Sequence, residues 1–246
     1  MTTNHLTKFL LTKFQIWSYH QYVSQEERQE RAERILDAAA ELLLRFGYRK
    51  VTIDDVATQA GIGKGTVYLH WKTREALFQS VFRRELAAAA DELVATLQSN
   101  PREIRLHRVT RANFLAIMRR PLLKAMVSAD VTILGKLTQD QLETRHEGAT
   151  RDYIRLLADH SLIRSPLPIE DMIYAWHATL GGFFFEAPHP EGVERAATIL
   201  AATILAAFEP RLEPSDDDLK ALAPQVIDLF TEIRDLHRAA VRRAYE

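Results

Sequence analysis

The stretch AGIGKGTVYLHWKTREALF, Ala60 to Phe78, sets three glycines, a lysine and a threonine in front of an aromatic cluster. That composition suits contact with phosphate, and the question is whose. A nucleotide-binding loop needs G-x-x-x-x-G-K-[ST] after a strand, or G-x-G-x-x-G between a strand and a helix. Neither pattern is met: Gly65 follows Lys64, position 58 is Thr, and the preceding TIDDVATQA has helical character. Thr52 with Asp55 makes a capping box that opens a short helix, Ile53 to about Gln59, and Gly61 ends it. A second short helix follows over about Lys64 to His70, and Thr73 caps a longer one from Arg74 toward Gln98. Two short helices joined by a glycine turn and clasped between longer ones have the layout of a helix-turn-helix, about residues 52–71, whose second helix enters the DNA major groove. The phosphates are then those of DNA, met by helix N-termini and by Lys64, Thr66, Tyr68, His70 and Lys72, with glycines permitting close approach. Val56, Ala57, Ile62, Val67 and Trp71 fall where a three-helix core must be filled.

Upstream, Ser24 with Glu27 forms another capping box, opening a helix that runs through RAERILDAAAELLLRF and stops at Gly47. Ile35, Leu36, Ala39, Leu42, Leu43 and Phe46 make its apolar stripe. Residues 1–23 lie outside this layout as a disordered arm, an extra helix, or residues from an upstream start codon. Their apolar runs are broken by Lys8 and Lys13 and lack a small-residue cleavage site, so they do not form a signal peptide.

The composition agrees with a globular chain. Its 246 residues are 47% apolar, enough to build a sizeable core. The absence of cysteine excludes disulfides and thiolate chemistry and fits a reducing cytoplasm, where the DNA-binding reading implies association with the nucleoid. No run approaches the roughly 18 apolar residues of a membrane span. A net charge of −1 gives no general pull toward nucleic acid, but between Leu42 and Arg74 the bases Arg45, Arg49, Lys50, Lys64, Lys72 and Arg74 face only Asp54 and Asp55. A solvated charged face is the alternative reading of that cluster.

Further along, apolar residues recur at three and four, predicting helices near 101–118, 121–128, 137–163, 169–187 and 191–208. A last helical pattern begins at Ser215, carries Asp216, Asp217 and Asp218 in its first turn and ends in Arg242 and Arg243, with Pro224 starting a new turn or kinking it. The fold class is all-α.

Residues 34–82, RILDAAAELLLRFGYRKVTIDDVATQAGIGKGTVYLHWKTREALFQSVF, resemble the TetR family of bacterial transcriptional regulators. There a helix ending in F-G-Y is followed by T-x-x-x-[IV]-A, A-G-[VI] and K-G-[TS]-[LV]-Y-x-[HY]-F-x-[ST]-K-E-x-L. Two slots differ: Trp71 replaces Phe, and Gly63 stands where Ser is common. The resemblance implies that Thr52, Lys64, Gly65, Thr66, Tyr68, His70 and Lys72 approach double-stranded operator DNA. It also implies a DNA-binding domain over 24–82, then a helical domain over 83–246 that binds a small molecule and dimerises. The segment from about 215 is a C-terminal extension to that layout. The implied function is a homodimeric repressor that binds a palindromic operator and is released by ligand, with no metal or other cofactor. A ligand-independent regulator or an activator is the runner-up.

Within the second domain, MIYAWHATLGGFFFEA supplies aromatic walls with a polar group. Phe114, Met118, Met126, Trp176, His177, Phe183 and Phe184 are the candidate lining of a pocket for a mainly apolar effector, ordinary core being the alternative for each. PEGVERAATILAATILAAF is apolar or small around its circumference after Arg195, as expected of a helix packed on its own domain and on a partner. Ala197, Leu200, Ala201 and Ile204 are its candidate dimer contacts, and a buried monomer helix is the other reading. An enzyme is the rival class. Glu143 and His146 have the Glu-x-x-His spacing of di-iron bundles, but the second copy and the further glutamates such a site needs are missing. Glu170, Asp171 and His177 could make an acid-base set, or simply a helix N-terminus with its acids in place.

Overall fold

The computed structural model describes the backbone of residues 3–127, 141–164, 167–186, 189 and 191–245, and side chains within 25–125, 148–164, 167–186, 189 and 191–244. The described residues are all-α. Helices are α1 (Thr3–Phe46), α2 (Ile53–Gln59), α3 (Lys64–His70), α4 (Arg74–Ser99), α5 (Leu106–Met118), α6 (Pro121–Val127), α7 (Gln141–Asp159), α8 (Ile169–Phe185), α9 (Val193–Phe208) and α10 (Asp216–Tyr245). A 3-10 turn, Pro101–Ile104, precedes α5. The expected helix over 101–118 is thus divided at Arg105, which has extended backbone. Pro224 sits inside α10 and does not end it.

Two compact units result: one holds the residues up to Leu77 together with those from Ala244 on, the other Phe78–Arg243. In the first, α1 is one helix of 44 residues, beginning at Thr3 where the capping box had placed its start at Ser24. Among its described side chains Ala32, Ile35, Leu36, Ala38, Ala39 and Leu42 are buried, while Phe46, expected to close the stripe, is 46% exposed. Gly47 at φ +78° ends the helix, its N–H donating to the Leu43 carbonyl.

The core of the second unit joins α5, α7, α8, α9 and α10. Phe114, Leu115, Tyr153, Ile154, Trp176, Leu200, Ile204 and Val226 lie in it. Helix α7 ends in a Schellman motif with Ser161 left-handed at φ +56°, the Leu162 N–H reaching the Leu157 carbonyl. One end of this core holds a buried ionic group. Arg105 donates to Glu209 at 2.8–2.9 Å, and Glu209 also accepts from the backbone N–H of His107 at 2.7 Å and lies 2.8 Å from His107 Nδ1. Burial alone would raise the Glu209 carboxyl, but the bonds and charges of His107 and Arg105 outweigh it and hold it below the ordinary carboxylate range. Nearby, the Tyr153 hydroxyl donates to the Ile104 carbonyl at 2.8 Å, and burial, with the charge of Glu209, pushes its ionisation well up.

Candidate nucleic-acid interface

Local chemistry sets each end of the two short helices. Asp55 N–H donates to Thr52 Oγ1 at 3.3 Å, while the Thr52 N–H and hydroxyl donate to Asp55 Oδ2 at 2.9 and 2.7 Å. These bonds lower the Asp55 pKa. At the other end of α2 the Gly61 N–H reaches the Thr58 carbonyl and the Ile62 N–H the Ala57 carbonyl, a Schellman motif that requires Gly61 at φ +67°. Gly63 is the N-cap of α3 and offers no side-chain bond. Thr73 caps α4 through the Ala76 N–H at 3.0 Å.

The first residue of α4 acts as a clamp. Arg74 Nε donates to the Val51 carbonyl at 2.8 Å, another guanidinium nitrogen donates to the Tyr48 carbonyl, and the cation lies 4.5 Å from the centre of the Tyr48 ring. It therefore ties the α1–α2 connection to the start of α4. Nothing in the local sequence pattern marks this role, because the partners are 23 and 26 residues away.

Helix α3 is short enough for each side chain to be placed. Val67, His70 and Trp71 turn inward, at 0%, 5% and 1% exposure. Lys64, Gly65, Tyr68 and Leu69 face out, Thr66 lies at the boundary, and Lys72 is exposed just beyond the helix. His70 is thereby corrected: its ring packs beside Trp71, centroids 5.5 Å apart, on the face away from Lys64 and Tyr68. Thr52 is exposed, but its hydroxyl is engaged in the cap. Lys64 forms an exposed ion pair with Asp54 at 2.7 Å, which raises its pKa. Leu69, absent from the residues singled out in sequence, is 67% exposed at the middle of the outward face. The arrangement presents an exposed helix face with Lys72 beyond one end and the Lys64–Asp54 pair at the other, a face that a polyanion's groove could accept.

The second unit distributes the other candidates differently. Trp176 is buried, and its indole N–H donates to Thr110 Oγ1 at 2.9 Å, whose hydroxyl donates in turn to the Leu106 carbonyl. That is a satisfied core position, whereas His177 stacks on Trp176 from the exposed side. Phe114 instead meets Phe184 at 5.3 Å and Phe183 at 6.4 Å between ring centroids, and Met118 is packed against the same core. The side chain of Met126, like those of Glu143 and His146, lies outside the described residues. Glu170 takes two bonds from Arg151, at 2.8 and 3.3 Å, and is not brought to His177.

Ala197, Leu200, Ala201 and Ile204 are 0%, 0%, 8% and 0% exposed within the single chain. Their expected role at a dimer seam is corrected: they fill the inner face of α9. The outer face carries Thr198, Ala202 and Ala206, and that of α8 carries Tyr174, Ala178 and Phe185. Tyr174 and Phe185 are 77% and 63% exposed.

Comparison with known proteins bears on the same segment. Residues 35–81 match the family model for bacterial regulatory proteins of the tetR family. YhgD of Bacillus subtilis, an uncharacterized HTH-type transcriptional regulator, is 30% identical over 129 residues, 51% of this chain and 66% of YhgD. YdeS of the same organism is 33% identical over 96 residues, 39% of this chain and 47% of YdeS. The chain thus covers less than two thirds of either relative. Among solved structures, a TetR-family transcription regulator from Shewanella sp. PV-4 superposes with a TM-score of 0.56 at 20% identity, covering 74% of this chain and 99% of that one. SmeT in complex with triclosan gives 0.57 at 22% identity, covering 76% and 99%. Both likenesses are of fold.

Proposed function

Because the chain belongs, through the segment around its helix-turn-helix, to the TetR family of bacterial regulatory proteins, we propose that it is a transcriptional regulator that binds a palindromic DNA operator as a homodimer and is released by a small, mainly apolar ligand. The observation that carries the reading is the outward face of α3, where Gly65, Tyr68 and Leu69 are exposed between Lys64 and Lys72. Gly65 is the sharpest element. It has ordinary helical backbone, and a Cβ there would meet no heavy atom within 4 Å, so the fold has no need of glycine. Close approach of a DNA strand would make use of the missing side chain.

Two substitutions separate these requirements. Gly61→Ala should destabilise the first unit by about 1–2 kcal/mol, the cost of a side chain in left-handed backbone. Gly65→Ala should stabilise it by a few tenths to about 1 kcal/mol, as alanine does in a helix, while weakening DNA binding. Thermal melts and gel shifts read the two effects apart, and unchanged DNA affinity in Gly65→Ala removes that face from the interface.

The direct test of function is footprinting on DNA adjoining the protein's own gene. Protection of two symmetric half-sites supports the reading, and no sequence-dependent protection overturns it. Lys72 would contribute one phosphate contact. Lys72→Ala should weaken all sequences alike and make the slope of log affinity against log salt shallower by about one unit, with the preferred sequence unchanged. An unchanged slope places Lys72 off the DNA.

The proposed effector site is the surroundings of Phe114, Met118, Phe183 and Phe184, a reading supported by the aromatic rings that meet between α5 and the end of α8. Trp176 and His177 are left out of it. Ligand and operator then oppose one another through a shared equilibrium: a ligand that favours a half-site spacing unsuited to DNA lowers operator affinity, and operator lowers ligand affinity by the same factor.

A further inference from the structure

We propose that Leu69 is a specificity determinant that reads the 5-methyl group of a thymine in the major groove, an inference that rests on the DNA-binding reading and deepens it. Leu69 is 67% exposed, the most exposed large apolar side chain among the described residues of its unit. Its position on α3 follows from the helix itself. Val67, His70 and Trp71 commit one side to the core, which leaves Leu69 near the middle of the opposite side. Gly65 lies one turn earlier on that same side and adds no side chain, so nothing from the preceding turn shields the leucine.

The surroundings define the occupant. Lys72 and Lys64, the latter paired with exposed Asp54, flank the face, and Arg45, Arg49 and Lys50 are exposed in the same unit, so cations border the leucine where a polyanion would meet it, and Asp54 is the acid it would have to displace from Lys64. Leucine can neither donate nor accept a hydrogen bond, so against the polar edges of guanine, adenine or cytosine it would displace water without replacing its bonds. The thymine methyl is the apolar landmark of the unmodified major groove, and contact with it removes apolar area from water on both sides. Tyr68 and the lysines would fix register on the backbone, while Leu69 adds sequence preference.

Deoxyuridine differs from thymidine only in lacking this methyl and gives the test. Once footprinting has located the operator, each thymine and its symmetry mate in the other half-site are replaced in turn by deoxyuridine. Affinities are then measured for the wild-type protein and for Leu69→Ala. At one thymine position wild-type binding should weaken about fourfold per half-site, the worth of roughly one buried methyl group, and Leu69→Ala should bind the two duplexes equally. Melting of Leu69→Ala should match wild type, since the side chain is largely exposed. Wild-type indifference to uracil at every position, or equal sensitivity in both proteins, overturns the contact while leaving DNA binding intact. A wild-type protein that protects no DNA overturns the DNA-binding reading and this inference together. Leu69→Gln gives a second measure, because glutamine pairs with the N6 and N7 edge of adenine and should move the preference at that position from thymine toward adenine.

Discussion

Glu209→Ala should destabilise the second unit by about 3–5 kcal/mol, because removing one member of a buried ion pair leaves the other charge uncompensated. The residual charge is Arg105, whose side chain is 6% exposed and whose remaining carboxylate, Glu213, is itself 66% exposed. The substitution also strips the acceptor from the His107 backbone N–H. Urea unfolding followed by Trp176 fluorescence, with Trp17 and Trp71 replaced by phenylalanine, reads the effect in this unit. Arg105→Met combined with Glu209→Gln should cost less than the sum of the two single changes, since each single variant includes the penalty of stranding its partner. Additive losses would show that the two groups are held independently.

The same carboxylate predicts a pH dependence. Its folded pKa is held below the ordinary value, so the folded protein binds fewer protons there than the unfolded chain. The stabilisation is complete above the ordinary glutamate pKa of about 4.3 and is lost as pH falls through the lower folded value. In Glu209→Gln that acidic limb should be missing, and the stability gap between the variant and wild type should narrow between about pH 5 and pH 3. A gap that does not change with pH would assign the acid sensitivity to other carboxylates.

This ionic group shows where sequence reading stops. Arg105 and Glu209 are 104 residues apart, and neither is marked by a cap, a turn or a periodic position. The helix-turn-helix was legible for the opposite reason: Thr52 with Asp55, Gly61 and Thr73 act on backbone groups within a few residues, so the chemistry that ends each helix is written beside it. The start of α1 was misplaced because a capping box is a local preference, and Ser24–Glu27 is overrun by helix on both sides. Contact chemistry points His70 outward, although its spacing of three from Val67 puts both on one side of the seven-residue helix, next to the C-cap Trp71. An imidazole among lysines suits phosphate by its chemistry, and the family motif agrees, but the helical period decides which way it faces and argues against both. Nothing in the sequence marks Leu69, because an exposed leucine is ordinary on a protein surface. It gains meaning only when Gly65 and the inward trio fix which way the helix faces.

In the homodimer proposed above, Tyr174→Arg, alone or with Ala202→Arg, should leave monomers and lower operator affinity on the order of a hundredfold or more. Sequence could not orient α9, because a helix apolar or small around most of its circumference has no polar face to identify solvent. The structure assigns Ala197, Leu200 and Ile204 to the core of one chain, so Ile204→Arg would unfold the unit and report nothing about assembly. Beyond the charged first turns (Glu170, Asp171, Glu194, Arg195), and apart from His177 and Thr203, the exposed residues are small or aromatic, among them Tyr174, Ala178 and Phe185 on α8, at spacings of four and seven, and Thr198, Ala202 and Ala206 on α9, each four apart. Alanines at that spacing allow close approach of a second helix, and the two aromatic rings carry apolar area that would otherwise stay in water. Tyr174 is 77% exposed, so arginine there leaves the monomer core intact and places an unpaired charge only in a seam between copies. The effect on DNA follows from linkage. Half-sites about 34–36 Å apart are bridged only by two joined helix-turn-helix units, and losing the connection removes an effective-concentration advantage of roughly 10²–10⁴. Sedimentation velocity and operator titration of the folded variant measure both steps. A dimer of unchanged stability and full operator affinity would exclude the α8–α9 face and require that the copies join through another surface.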